Sequence, residues 1–491
     1  MKISERMNES YDKKIMAILA VALFNFIFLG TEYLFDNMMA YVVDSEGVVL
    51  AQSYILGASV VGFVLFSAFH RFVPVNRKQF CFLGGTCIAV ICIFLVEQHA
   101  SYEAILIPGL IFFLLFGVMG SGIHYLVFTA FGDSKHLGKM MGMAYALGVF
   151  FQFVNNNLVR NEMVQALVLS LALMCFMILF MRLGNVAMLE QAEASEEMQG
   201  SLGNHSNHSK AEQRQASGEK AEAKNALVAG VSLITCVILM TCIFSTLDIA
   251  VTMIHAGGSV DIGQWPRLLL AVSGLTAGVL YDIRGRQYMT VIMYCVTLLS
   301  TICVVVIQMG GSFLAGLIVF YLSAGFFVVF FTVGFMDFAK YTKIPEFWAG
   351  IGRAVNNLCA VLTSSLSVIL LELENSMALI ITTLVLFVGI TIAIYVYQSQ
   401  LQPHSPEMVN VVEADDAVKF TAFSQCFSLT EREQEVLKVL LQSEANVQEI
   451  AEQLLISRAA LYRHITSLNE KTQTKTRIGL MQFYYGWKDA E

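Results

Sequence analysis

Twelve apolar stretches occupy most of the first 400 or so residues, and each is long enough to cross a bilayer. They run approximately over 15–35, 49–69, 80–97, 104–130, 138–158, 163–182, 226–248, 264–281, 288–307, 312–335, 347–371 and 376–397. A helical crossing takes about 20 apolar residues, and only helices or closed barrels satisfy every backbone group in hydrocarbon. Repeated runs of this length predict an all-α, polytopic membrane bundle of twelve transmembrane helices. Composition agrees: 56% of the chain is hydrophobic and 14% is charged, against roughly 25% charged in a soluble domain. The 10 cysteines are scattered, mostly through the apolar runs. They read as small buried hydrophobes, not as a disulfide framework or a metal site.

Lysine and arginine set the expected orientation. They collect at Lys2, Arg6, Lys13 and Lys14, then in alternate loops at Arg71, Arg77 and Lys78, at Lys135 and Lys139, at Arg182 with the loop after it, at Arg284 and Arg286, and at Lys340 and Lys343. The opposite loops hold only Arg160 and Arg267, with acids such as Asp44, Glu46, Glu97 and Glu103. The pattern places both termini and the central loop in the cytoplasm, as expected of a multi-pass protein of the inner (cytoplasmic) membrane.

The chain also repeats itself. "FTAFGDSK" (128–135) closes the fourth stretch and "FTVGFMDFAK" (331–340) the tenth; "IFLGTEYL" (27–34) in the first resembles "IFSTLDIA" (243–250) in the seventh. Ordered echoes of this kind predict two six-helix halves, 1–182 and 226–397, joined by a polar loop over 183–225 that is rich in Ser, Glu, Gln and Lys and reads as flexible.

At "AGVLYDIRGRQ" (277–287), Gly278, Asp282, Gly285 and Arg286 resemble the G-x-x-x-D-x-x-G-R loop signature of the major facilitator superfamily. In that family the signature lies between spans 2 and 3 and again between 8 and 9. Here the earlier copy, "HRFVPVNRKQ" (70–79), keeps its basic residues and lacks the Gly and Asp. The resemblance implies a central cavity lined by the first, fourth, seventh and tenth spans. Ionisable groups within spans are costly and usually functional. Glu32, His124 and Asp248 are therefore expected to converge on a site for a small-molecule ligand, accompanied by Gln152, Arg353 and the amides Asn155, Asn156, Asn157, Asn356 and Asn357. The competing reading makes them interhelical glue.

After Tyr397 the apolar signal ends. Residues 398–424 read as a linker, and a flexible chain of about 25 residues spans on the order of 25–30 Å, which keeps the tail near the bilayer. From 425 to 491 the pattern is one of short amphipathic helices. Ser428 or Thr430 starts the first as its cap, and Glu433, three residues past Thr430, makes a capping box ahead of a stripe made by Val436, Leu437, Leu440 and Leu441. Asn446 caps a second helix that turns inward Ile450, Ala451 and Leu454. Ser457 caps a third, whose inward residues are Leu461, Ile465 and Leu468, and a fourth runs from about Thr476 to Tyr484. Two helices joined by the tight "LLIS" turn describe a helix-turn-helix.

This stretch resembles the LuxR-type DNA-binding domain. Leu429, Thr430, Arg432, Glu433, Glu435, Val436 and Leu437 match its first block, Glu449, Ile450, Ala451, Leu454, Ile456 and Ser457 its second, and His464, Lys471 and Arg477 the remainder. Two departures stand out. Glu444 replaces a usual glycine, and the usual T-V-K is Ala460, Leu461 and Tyr462. The resemblance implies that the third helix enters a DNA groove, where Tyr462, Arg463 and Thr466 face the bases, while Arg458, Lys471, Lys475 and Arg477 serve phosphates. It also implies action as a homodimer on paired half-sites of double-stranded DNA. From Arg458 onward there are six basic and three acidic residues.

These readings predict a one-component transcription regulator embedded in the lipid bilayer. The alternatives are a transporter with a regulatory tail and a tail that binds protein instead of DNA. No nucleotide loop, metal cluster or catalytic triad is legible in the soluble parts, so no enzyme activity and no cofactor are expected.

Overall fold

The computed structural model describes residues 2–98, 101–201, 225–244, 266–286, 288–309, 313–372, 376–401, 423–442 and 456–472, with shorter stretches between 420 and 487. Every regular element among them is helical. The chain divides into two compact units, Met1–Leu401 and Gln402–Glu491.

The first unit contains α1 (Lys2–Met39), α2 (Ser45–Phe72), α3 (Val75–Glu97), α4 (Tyr102–Phe131), α5 (Leu137–Leu158) and α6 (Glu162–Ser201). After these come α7 (Asn225–Phe244), α8 (Pro266–Tyr281), α9 (Met289–Gln308), α10 (Phe313–Ala339), the short α11 (Pro345–Trp348), α12 (Ile351–Glu372) and α13 (Ser376–Leu401). Nine helices among the described residues are long and apolar enough to cross a membrane. Three shorter apolar helices, Leu268–Tyr281, Met289–Cys303 and Ile351–Leu362, fall where the eighth, ninth and eleventh crossings were expected.

Helix starts follow local chemistry. Asp44 caps α2 by accepting from the Gly47 backbone N–H at 2.9 Å, and Pro345 stands at the first turn of α11, where its missing N–H costs nothing. One boundary departs from expectation: α6 continues to Ser201, well into the segment read as a flexible loop. The stretch 187–199, "AMLEQAEASEEMQ", consists largely of strong helix formers, so the polar sequence prolongs the helix. Residues 202–224 lie outside the described residues.

The halves meet where α5 lies on α8 and α2 on α12. A Cβ on Gly142 of α5 would stand 2.5 Å from the Gly274 carbonyl oxygen and 2.8 Å from the Gly278 Cα of α8. Only glycine permits this approach, the usual way membrane helices gain contact where the hydrophobic effect offers little.

Polar ties fasten the same junction. Asp282 accepts from the backbone N–H groups of Gly138 and Lys139, both at 2.8 Å, so an acid from the second half caps the start of α5 in the first. Arg286 ends a short 3-10 turn (Ile283–Arg286) in the left-handed region, with φ 71°. Its Nε donates to Asp337 Oδ2 at 2.6 Å and its Nη1 to the Ser134 carbonyl at 2.8 Å. Lys340 reaches Asp133 at 3.5 Å. The two echoed segments, 128–135 and 331–340, thus meet through the Arg286 turn. At the pseudo-equivalent corner Arg71 pairs with Glu346 of α11 at 2.6 Å. The loop that lost the signature's Gly and Asp therefore still carries a latch.

Candidate DNA interface and membrane cavity

The second unit has its own core. α14 (Glu431–Gln442) buries Val436, Leu437 and Leu440, and α15 (Arg458–Lys471) buries Leu461, Ile465 and Leu468. Phe423, Leu429, Ile450, Leu480 and Tyr484 complete the cluster. Ser457 caps α15 by accepting from the Ala460 N–H at 3.2 Å. The Thr430–Glu433 box forms as the spacing predicts: Glu433 Oε2 accepts from the Thr430 N–H at 2.8 Å and from its hydroxyl at 2.9 Å. Asn446 and most of the fourth helix lie outside the described residues.

With its apolar stripe fixed inward, α15 turns its other face to solvent. Arg458, Tyr462, Arg463 and Thr466 are all exposed, Tyr462 at 51%. Lys475 and Arg477 lie outside the described residues. Lys471, which the resemblance assigns to phosphates, is engaged within the domain. Its ammonium donates to Glu433 Oε2 at 2.6 Å and to the Ser428 carbonyl at 2.8 Å, so it ties the end of α15 to the start of α14. Ser467 adds a hydrogen bond to Glu433 Oε1 at 2.6 Å. Burial acts to raise the Glu433 carboxyl, but the hydrogen bonds from Lys471, Ser467 and Thr430 outweigh it and hold the pKa at about 2. The reading missed this hub because the partners are far apart in sequence and both residues already carried assigned roles.

In the first unit, a narrow cavity with room for about one water-sized group is lined by Val21 and Asn25 (α1), His124 (α4), Met141 and Tyr145 (α5), Val328, Val329 and Thr332 (α10) and Arg353 (α12). Both halves contribute. Arg353 is 9% exposed. Its Nη2 donates to Asn25 Oδ1 at 2.8 Å, and its guanidinium lies 5.3 Å from the Phe28 ring and 5.9 Å from that of Phe331. Asn25 in turn donates to the Val21 carbonyl at 2.9 Å. His124 Nδ1 lies 2.6 Å from the Gly120 carbonyl oxygen. A carbonyl can only accept, so this nitrogen carries the proton and Nε2 is the ring's other functional atom.

The three expected ligand residues fare differently among the described residues. Of them only His124 lines the cavity. Glu32, a late residue of its span, accepts from Gln52 Nε2 at 3.0 Å, and the same amide reaches Asp36. Asp248 lies outside the described residues. Arg353, noted in the sequence only as a companion of the amides, is the charged centre, and Asn25 was not singled out. An arginine within an apolar run was the available signal. Along α5, Gln152 Nε2 donates to the Leu29 carbonyl at 3.1 Å. One turn on, the buried Asn155 side chain has no hydrogen-bond partner among the described residues.

The fold and the two sites define a multi-pass helical membrane protein joined to a small helix-turn-helix unit. Residues 427–484 match the bacterial regulatory proteins of the luxR family, so the tail is a LuxR-type DNA-binding domain. The membrane unit has the major facilitator fold. It is similar to the proton:xylose symporter XylE bound to 6-bromo-6-deoxy-D-glucose, at 12% identity and a TM-score of 0.53, covering 80% of this chain and 96% of that one. It is also similar to the major facilitator transporter FucP in its outward conformation, at 12% identity and a TM-score of 0.50, covering 79% and 98%. No curated protein sequence matches the chain.

Proposed function

We propose that this protein is a membrane-tethered, one-component transcription regulator. Its membrane unit senses a small molecule and its tail binds double-stranded DNA as a homodimer. The observation that carries the reading is α15: a helix locked inward by Leu461, Ile465 and Leu468 while Arg458, Tyr462, Arg463 and Thr466 stand exposed, in a LuxR-type domain on a chain that otherwise crosses membranes. Arginine reads guanine bidentately, and tyrosine and threonine reach base edges or phosphates. Positive-inside asymmetry puts both termini in the cytoplasm, beside DNA, with the bundle in the inner membrane. In this reading the protein binds and switches and performs no covalent chemistry.

Chromatin immunoprecipitation of the intact chain, compared with one ending before residue 403, tests it. Enrichment at discrete sites that vanishes with the tail is expected. No enrichment from the intact chain sinks the reading. A second reading, transport with a regulatory tail, draws on the cavity shared between the halves, and substrate flux that survives removal of residues 403–491 would favour it.

A further inference from the structure

A buried arginine in a membrane domain needs a counter-charge, and the inexpensive solution is a carboxylate in contact with it. Arg353 has none. Its one hydrogen-bond partner among the described residues is the neutral Asn25, 2.8 Å away, and its guanidinium lies over the faces of Phe28 and Phe331. Five N–H donors in a rigid fork thus meet a single acceptor. The rest of the cavity wall supplies no negative charge: Val21, Met141, Tyr145, Val328, Val329, Thr332 and His124. Glu32 stands within electrostatic reach of the guanidinium, but among the described residues no carboxylate comes within ion-pair distance of it.

Resting on the sensing reading above, we infer that the ligand of the membrane unit bears an oxyanion, a carboxylate or a phosphate, which Arg353 grips inside this cavity. A guanidinium held between aromatic faces and away from water presents a planar fork that matches two oxygens of such a group. The narrow space holds about one water-sized group as the helices stand, so its wall must give slightly to admit the charged end of a ligand and far more to admit a whole sugar ring. Glu32 opposes the anion across the same field, which gives its replacement a definite sign.

The test uses the full-length protein in detergent, at matched ionic strength, with thermal unfolding read by fluorescence. The probes are sodium acetate, sodium succinate and inorganic phosphate, set against glucose and choline chloride. An oxyanion raises Tm saturably, Arg353→Gln weakens its apparent affinity about tenfold or more, as loss of one charge-assisted bond implies, and Glu32→Gln tightens it. A response to acetate or succinate alone assigns an organic carboxylate, and a response to phosphate alone assigns the inorganic source. If Arg353→Gln does not fold, Arg353→Lys, which keeps the charge and loses the fork, must still weaken binding. Stabilisation by glucose or choline alone overturns the anion assignment while leaving the sensing reading intact. An oxyanion effect unchanged by both Arg353 variants overturns it too, as does an absence of response to every oxyanion.

Discussion

Replacing Glu433 by Gln keeps the side chain's shape and removes the charge that joins α14 to α15. The fall of its carboxyl from the ordinary 4.5 to about 2 sets the scale. At about 1.4 kcal/mol for each factor of ten it amounts to ~3 kcal/mol. Lys471 keeps 31% of its side chain in water, so screening reduces the expected loss to about 1–2 kcal/mol. The sign follows from linkage: a carboxyl whose pKa falls on folding contributes fully above 4.5, and that stability drains away as pH drops through about 2. Urea unfolding of the tail (residues 402–491) across this window is expected to show a declining midpoint in the native sequence and a flatter one in Glu433→Gln. A double-mutant cycle with Lys471→Met isolates the pair. Lys471→Met is also expected to lower stability and leave the salt slope of DNA binding unchanged, whereas a phosphate contact would reduce that slope by about one. Parallel pH profiles in the two proteins, or a slope that falls by one, would refute the hub.

Arg463→Ala is expected to weaken binding to the native operator by about 1–3 kcal/mol and relax the preference at one base pair, as read by electrophoretic mobility shift at stated salt. Tyr462, 51% exposed, carries the departure from the family's lysine; Tyr462→Lys should change the preferred sequence in a selection experiment and move tail stability by no more than about 0.5 kcal/mol. In the membrane unit Gly142→Leu drives a side chain into the α8 backbone and should cost about 1–3 kcal/mol or more in thermal unfolding in detergent. Gly84→Leu, where an added Cβ meets nothing within 4 Å, serves as its control.

Much of this was legible in the sequence because its signals are local. The inward stripes of α14 and α15, the Thr430–Glu433 box and the Ser457 cap are spacings of three and four, and a helix turns such spacings into faces directly. The membrane helices follow from the length of their apolar runs. What the sequence concealed depends on partners far along the chain. Lys471 reads as a free cation until Glu433 is placed beside it, and Arg353 reads as an accessory until Asn25 and Phe28 of α1 surround it. Glu32 and His124 share two sequence properties, an ionisable group within a span and membership of an expected lining helix, yet one turns toward Gln52 and the other into the cavity. Hydropathy fixes the depth of a residue far better than its rotation about the helix axis, and rotation decides which neighbour it meets.

The two latches differ in what their removal is worth, and that difference tests how the membrane unit switches. Arg71 is half exposed in its pair with Glu346, so Arg71→Ala should shift the balance of conformations by about 0–1 kcal/mol. Arg286 is 9% exposed, holds Asp337 and sits within 3.7 Å of Asp282. Breaking a buried pair of this kind costs about 3–5 kcal/mol. A ligand that carries a two-state equilibrium from 1:99 to 99:1 supplies about 5.5 kcal/mol, so loss of Arg286 consumes most of the range over which a ligand acts. Arg286→Gly is the informative variant, because glycine accepts φ 71° without the strain a side chain brings. It removes the latch and spares the turn. The expected outcome, in cells carrying a reporter under the native operator, is output that no longer responds to ligand, against a near-normal response in Arg71→Ala. Whether the fixed output is the liganded or the unliganded level tells which conformation the ligand selects. A full ligand response in Arg286→Gly would mean that the junction at Asp282, Asp337 and Ser134 is packing alone and that the switch lies elsewhere in the bundle.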